Sequence, residues 1–139
     1  LASALAEVAE HTFPDCAAQL RALGVPPGRP PEEVQLRAAA LLRSAESQDT
    51  LILTDVFGAT PCNAAQRLAD GVHVRVVAGV NVPMLWRTLC YANEPLDALV
   101  TRAMAGATQG VMQASATRPQ QQARSAGPED AKDQRHHHQ

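Results

Sequence analysis

Leu51-Ile-Leu-Thr-Asp-Val-Phe-Gly-Ala-Thr-Pro-Cys-Asn-Ala-Ala65 is the stretch that decides the fold. Leu51–Leu53 is a short apolar run of the kind a buried strand needs, and the acid Asp55 follows it. Gly58 then permits a tight turn. Thr60-Pro61 carries helix-start chemistry, a hydroxyl that can cap a free amide and a proline whose fixed φ suits the first turn. Strand, turn and helix in that order put Asp55 at the carboxyl end of a strand, where open α/β sheets hold their ligands. The amides of Gly58, Ala59 and Thr60 would face the same spot, and with the positive end of a helix dipole they make a phosphate cradle. An acid beside a phosphate calls for a third group between them. A cation or a histidine, held by the acid and carrying the phosphoryl group, would fill that role.

Val74-Arg-Val-Val-Ala-Gly-Val-Asn-Val-Pro-Met-Leu85 has the same order of strand, Gly–Asn turn and proline-opened helix. Around these two units, Leu1, Leu5 and Val8 recur at helical spacing and predict an amphipathic helix over residues 1–12 that buries that stripe. Leu20–Val25 is a short strand candidate closed by Pro26-Pro27-Gly28. Pro30, Pro31, Glu32 and Glu33 open a helix with Val34, Ala38, Leu41 and Leu42 inward. Strand Thr50–Thr54, helix Pro61–Ala69, strand His73–Ala78 and helix Pro83–Tyr91 alternate, which means a parallel sheet with right-handed crossovers. A last helix runs from Pro95-Leu96 to about Thr108, followed by the apolar piece Gly110–Ala114. From residue 116 the chain is Gln, Arg, Ser, Pro, Asp and His, too polar to offset its ordering entropy, and 116–139 reads as a disordered tail. His136-His-His138 reads as its solvated end, with weak metal binding or a tag remnant as the other meanings. Residues 1–115 form the one folded domain.

The 139 residues carry a net charge of −2 and a single lysine, Lys132, which argues against a nucleic-acid footprint. No apolar run reaches the length of a membrane span, and no signal peptide is visible. Cys16, Cys62 and Cys90 are odd in number and lack metal-type spacing, which fits a reducing cytoplasm and predicts no metal site. Aromatic residues are scarce, so Ala, Val and Leu must do the packing.

Together, Asp55, Phe57, Gly58-Ala-Thr-Pro61, Asn63-Ala-Ala65 and Gly79-Val-Asn-Val-Pro-Met-Leu85 resemble the EIIA component of the mannose family of the phosphoenolpyruvate-dependent phosphotransferase system. The resemblance implies a three-layer α/β fold with an open, mainly parallel sheet of order 2-1-3-4 plus a short C-terminal strand, for which Gly110–Ala114 is the candidate. In some members that strand is exchanged between the subunits of a dimer. It also implies a phosphocarrier that accepts a phosphoryl group from phospho-HPr on a histidine and passes it to an EIIB-type partner. No nucleotide or tightly held metal is required, and a homodimer without membrane insertion is implied. The family's histidine ends a first strand just before the first helix. Both would precede Leu1, so the chain reads as an N-terminally truncated fragment without its phosphoacceptor and inactive alone.

By the same resemblance, Asp55 would accept a hydrogen bond from one ring nitrogen of that histidine, fixing the tautomer and stabilising the charged ring. Its plain reading is a turn cap. Thr60 would bind the phosphoryl group as well as serve as N-cap, and Gly58, Ala59 and Thr60 would supply the amide cradle. Ala59 stands where many relatives have a second glycine. Asn81 is a candidate for the rim of the site, Asn63 for local capping, Cys62 for packing, and His11 and His73 for ordinary surface histidines. Trp86, Met84 and Leu85 form a stripe that signals core or interface. Three other functions remain open from the sequence. One is a regulatory, non-transporting member of the same system, and another is the phosphotransfer subunit of dihydroxyacetone kinase, which shares the fold. The third, a response-regulator receiver, is disfavoured because no lysine precedes Lys132.

Overall fold

A computed structural model describes residues 1–45 and 49–115. The expected tail, 116–139, with His136 to His138, lies outside the described residues. The elements in order are α1 (Ala2–Thr12), a 3-10 turn (Cys16–Gln19), α2 (Pro31–Ser44), β1 (Thr50–Thr54), α3 (Thr60–Leu68), β2 (Val74–Ala78), α4 (Val82–Cys90) and α5 (Leu96–Gln109). The strands β1 and β2 are parallel, with Thr50 opposite Val74 and Thr54 opposite Ala78, and α3 is the crossover between them. This is the open α/β arrangement that the alternation predicts. The two strands are neighbours, as the third and fourth strands are in the expected order.

Strand periodicity sorts the layers. Leu51 and Leu53 pack on the side of α4 and α5, where Val77, Met84 and Ala103 are buried with Val80, Val100 and Ala107 around them. Leu53 also reaches a second cluster, in which Ala9 of α1 and Ala17 of the 3-10 turn meet Leu85 and Leu89 of α4. By alternation Ile52 and Thr54 face the other way, toward α3, which packs on both strands and carries α2 on its outer side. Gly106 sets the approach of α5 to α4, since a Cβ there would stand 2.7 Å from the Arg87 Cβ. No helix among the described residues is long and apolar enough to cross a membrane.

Three expectations differ from the structure, and one element is new. Leu20–Val25 is not a strand: the segment is irregular and joins neither edge of the sheet, which holds β1 and β2 alone among the described residues. A strand exists only through its ladder, and this stretch finds none. Its start is tied back instead, by the Arg21 guanidinium donating to the Ala18 and Leu20 carbonyls at 2.8 and 3.0 Å. Gly110–Ala114 is likewise not a strand. Gly110 ends α5, its N–H donating to the Gly106 carbonyl at 3.0 Å, and Val111 and Met112 are 73% and 76% exposed. In α1 the buried residue is Ala9, while Leu1 and Val8 are exposed. The small side chain lets α1 approach α4 closely, and of the expected stripe Leu5 alone packs against that contact. The 3-10 turn at Cys16–Gln19 was not expected.

The amino ends of the strands are joined by polar contacts. His73 Nδ1 lies 2.7 Å from Asp49 Oδ1, and one Asp70 oxygen accepts the N–H groups of Val72, His73 and Val74 at 2.7 to 2.8 Å. The Asp49 carboxylate raises the His73 pKa above its usual 6.5. The backbone donors, Val74 first, lower that of Asp70 below 3.8. A raised histidine contributes stability that is complete below about pH 6.5 and is lost as pH rises through its folded pKa. A lowered carboxylate contributes above about pH 4 and is lost as pH falls further. Thermal melts from pH 5 to pH 9 should therefore show a small decline on the alkaline side that disappears in Asp49→Asn. An unchanged decline in that variant would remove the pair as its cause.

Candidate functional site

The carboxyl ends of β1 and β2 are sewn together. Gly79 N–H donates to the Thr54 carbonyl at 3.0 Å and to the Asp55 carbonyl at 2.9 Å, and Val80 N–H donates to the Thr54 carbonyl at 3.0 Å. Both strand-end turns pass through a glycine in the left-handed region, Gly58 at φ 90° and Gly79 at φ 92°. Only glycine adopts that conformation without strain, which explains its place in each turn. The two turns thus lie side by side where an open sheet presents its ligand site.

Asp55 stands at this edge with its side chain exposed. One carboxylate oxygen accepts the Val56 N–H at 2.8 Å, and the other makes no hydrogen bond among the described residues. The turn that follows is loosely closed by Ala59 N–H donating to the Val56 carbonyl at 3.4 Å. Asn63 Nδ2 donates to the Gly58 carbonyl at 3.1 Å, a local tie of the kind expected. Val56 and Phe57 are 56% and 74% exposed beside the acid.

Thr60 is not the N-cap of α3. Ala59 occupies that position, in extended backbone, and no side chain caps the helix. Thr60 is the first helical residue and Pro61 the second, which places the proline where its missing N–H is no loss. The reason lies in the turn: the left-handed step at Gly58 brings Ala59, not Thr60, into the extended conformation a cap adopts. An alanine cap leaves the first amides without a side-chain acceptor, and no acidic residue lies in the first turn. The positive helix end therefore faces the edge of the sheet with no carboxylate of its own.

Asn81 does cap its helix. Its Oδ1 accepts the Met84 N–H at 2.9 Å and its Nδ2 donates to the Ala107 carbonyl at 3.2 Å, so both polar groups bind α4 and α5. Cys62 is buried in the first turn of α3. His11 is exposed on α1, and His73 lies at the amino end of β2, opposite the carboxyl edge that holds Asp55. The structure brings Asp55, Gly58, Ala59 and Thr60 into one strand-end turn and leaves both described histidines outside it. Among the described residues, no group of three or more His, Cys, Asp or Glu could hold a metal ion.

Thr54 was not singled out from the sequence. It is 7% exposed, and its buried hydroxyl has no hydrogen-bond partner among the described residues. A threonine that follows the aliphatic run Leu51–Leu53 and stands next to the acid is the one available signal.

Residues 1–104 match the family described as PTS system fructose IIA component. The mannose-specific EIIAB components of Escherichia coli strain K12 and of Shigella flexneri are 38% identical over 76 residues, covering 52% of this chain and 24% of theirs. The chain thus spans about a quarter of the length of these curated relatives. The crystal structure of phosphotransferase system component EIIA from Streptococcus agalactiae superposes with a TM-score of 0.66 at 23% identity, over 82% of this chain and 89% of that one, which shows the shared fold.

Proposed function

Because the chain belongs to the fructose IIA component family of the phosphotransferase system, we propose that it is a phosphocarrier domain whose working edge is the Asp55 turn and the start of α3. The observation that carries this reading is a carboxylate with one free oxygen next to an uncapped helix start. The first can orient an imidazole, and the second can bind the anion on it.

In this reading the phosphoryl group arrives from phospho-HPr on a histidine held beside Asp55, at the end of a strand lying along the open edge of β1. Leu51, Ile52 and Leu53 are half-buried there, as strand residues with one covered edge would be. Asp55 accepts the N–H of one ring nitrogen. The lone pair of the other forms a new P–N bond while the donor's P–N bond breaks, and that electron pair stays on the donor's ring nitrogen. The charge that builds on the accepting ring is stabilised by Asp55. Amides at Gly58, Ala59 and Thr60, with the free Thr60 hydroxyl, bind the phosphoryl oxygens, and Asn81 borders the site as the cap of α4. The reverse of the same step hands the group to an EIIB-type partner. Val56 and Phe57 offer such partners an apolar rim. The carrier works in the cytoplasm as a homodimer, and neighbouring membrane components of the system would mark it as serving transport rather than regulation.

Incubation with labelled phospho-HPr tests this. The full-length protein should take up one acid-labile phosphoryl group, and the 139-residue chain alone should take up none. Label on His11 or His73 would overturn the reading.

A further inference from the structure

We propose that Thr54 is a positioning residue of this phosphoryl site: its hydroxyl, unbonded in the unphosphorylated chain, donates to the Val56 carbonyl once the turn has shifted onto the phosphoryl group. The inference rests on the function proposed above and adds a residue and a conformational step to it.

The first support is energetic. Buried hydroxyls are nearly always paired, and an unpaired one destabilises the fold relative to an apolar group of the same shape. Valine would fill the position of Thr54 with no such penalty, and the three residues directly before it, Leu51 to Leu53, are aliphatic.

The second support is placement. Thr54 immediately precedes Asp55, and its carbonyl is already taken by two donors, Gly79 N–H and Val80 N–H, so its backbone is fixed. The side chain alone has bonding capacity left. Alternation along β1 turns it away from the face of Leu53 and toward α3, the helix that the Val56–Ala59 turn feeds.

The third support is the looseness of that turn. Its closing bond, Ala59 N–H to the Val56 carbonyl, is long at 3.4 Å. Nothing lies within 4 Å of where a Cβ on Gly58 would sit, and the Val56 and Phe57 side chains are exposed. Phosphoryl oxygens that attract the Ala59 N–H weaken this bond and free the Val56 carbonyl. The Thr54 hydroxyl is the buried side-chain donor without a partner among the described residues. A bond made only in the phosphorylated arrangement shifts the equilibrium toward it, whereas one made in both states would shift nothing.

The test uses the full-length protein equilibrated with defined ratios of phospho-HPr to HPr, together with thermal melts. Thr54→Val should melt at the wild-type temperature or higher, yet need a ratio about tenfold higher for half-phosphorylation, the effect of losing one hydrogen bond. Thr54→Ser, which keeps the hydroxyl, should need the wild-type ratio. Equal phosphorylation of wild type and Thr54→Val would overturn the inference alone. So would a Thr54→Ser variant as impaired as Thr54→Val, or a Thr54→Val variant that loses melting temperature, since either points to packing. A wild-type protein that takes up no phosphoryl group would remove the proposed function and this inference with it.

Discussion

Replacing Asp55 with alanine is expected to slow phosphoryl uptake by the full-length protein about 10²- to 10⁴-fold, the range typical of losing a group that orients and charges the reacting base, while its melting temperature stays within a few degrees of wild type. The two halves of this expectation come from the same geometry. Asp55 is exposed, and the one hydrogen bond its carboxylate accepts among the described residues is from the Val56 N–H, so little folding energy is at stake. The other oxygen accepts no hydrogen bond among the described residues, and in the proposed function its loss would cost the histidine the partner that selects its tautomer. Asp55→Asn sharpens the test because the amide preserves the shape and the bond to Val56 but carries no charge. It should be nearly as slow as alanine. If Asp55→Ala melted much lower and transferred normally, the acid would be a turn cap and nothing more.

The second large effect belongs to the core. Met84 is 2% exposed and sits where Val77 of β2 and Ala103 of α5 meet α4, with Leu51 and Leu53 of β1 against the same cluster. Met84→Ala removes buried atoms and leaves a cavity that the strands on one side and α5 on the other cannot close, a loss of roughly 2–5 kcal/mol. Against a usual domain stability of about 5–15 kcal/mol, that is a large share of the total. Denaturant unfolding should show the midpoint falling at unchanged slope. Met84→Leu, which conserves volume, should lose less than about 1.5 kcal/mol. Leu36→Ala, on the outer face of α2 at 71% exposure, should shift the midpoint hardly at all. Equal losses at Met84 and Leu36 would mean that this cluster is not the core.

Much of the molecule could be read along the chain because the features involved are local. Leu51–Thr54 and Val74–Ala78 announce strands by short, largely aliphatic runs bounded by turns. Pro31, Pro61 and Pro83 mark helix starts through a constraint on one dihedral, and Gly58 and Gly79 mark turns that need a positive φ. The same locality made the candidate site legible, since Asp55, Gly58, Ala59 and Thr60 fall within one strand–turn–helix. The parallel order of β1 and β2 follows as well, because a helix between two strands leaves few other ways to connect them.

What sequence could not settle depends on partners distant in the chain. Leu20–Val25 and Gly110–Ala114 have strand-like composition, yet a strand is defined by a neighbour's hydrogen bonds, and neither segment has one in this structure. Which side of α1 is buried was decided by α4, whose approach selects Ala9 over Leu1 and Val8. The loss of the Thr60 cap was decided by the step at Gly58, and the double engagement of Asn81 by the arrival of α5 beside α4. Thr54 is the plainest case. A threonine at a strand end is unremarked in a sequence, and only the packing of α3 over β1 turns its hydroxyl into a buried group with no partner.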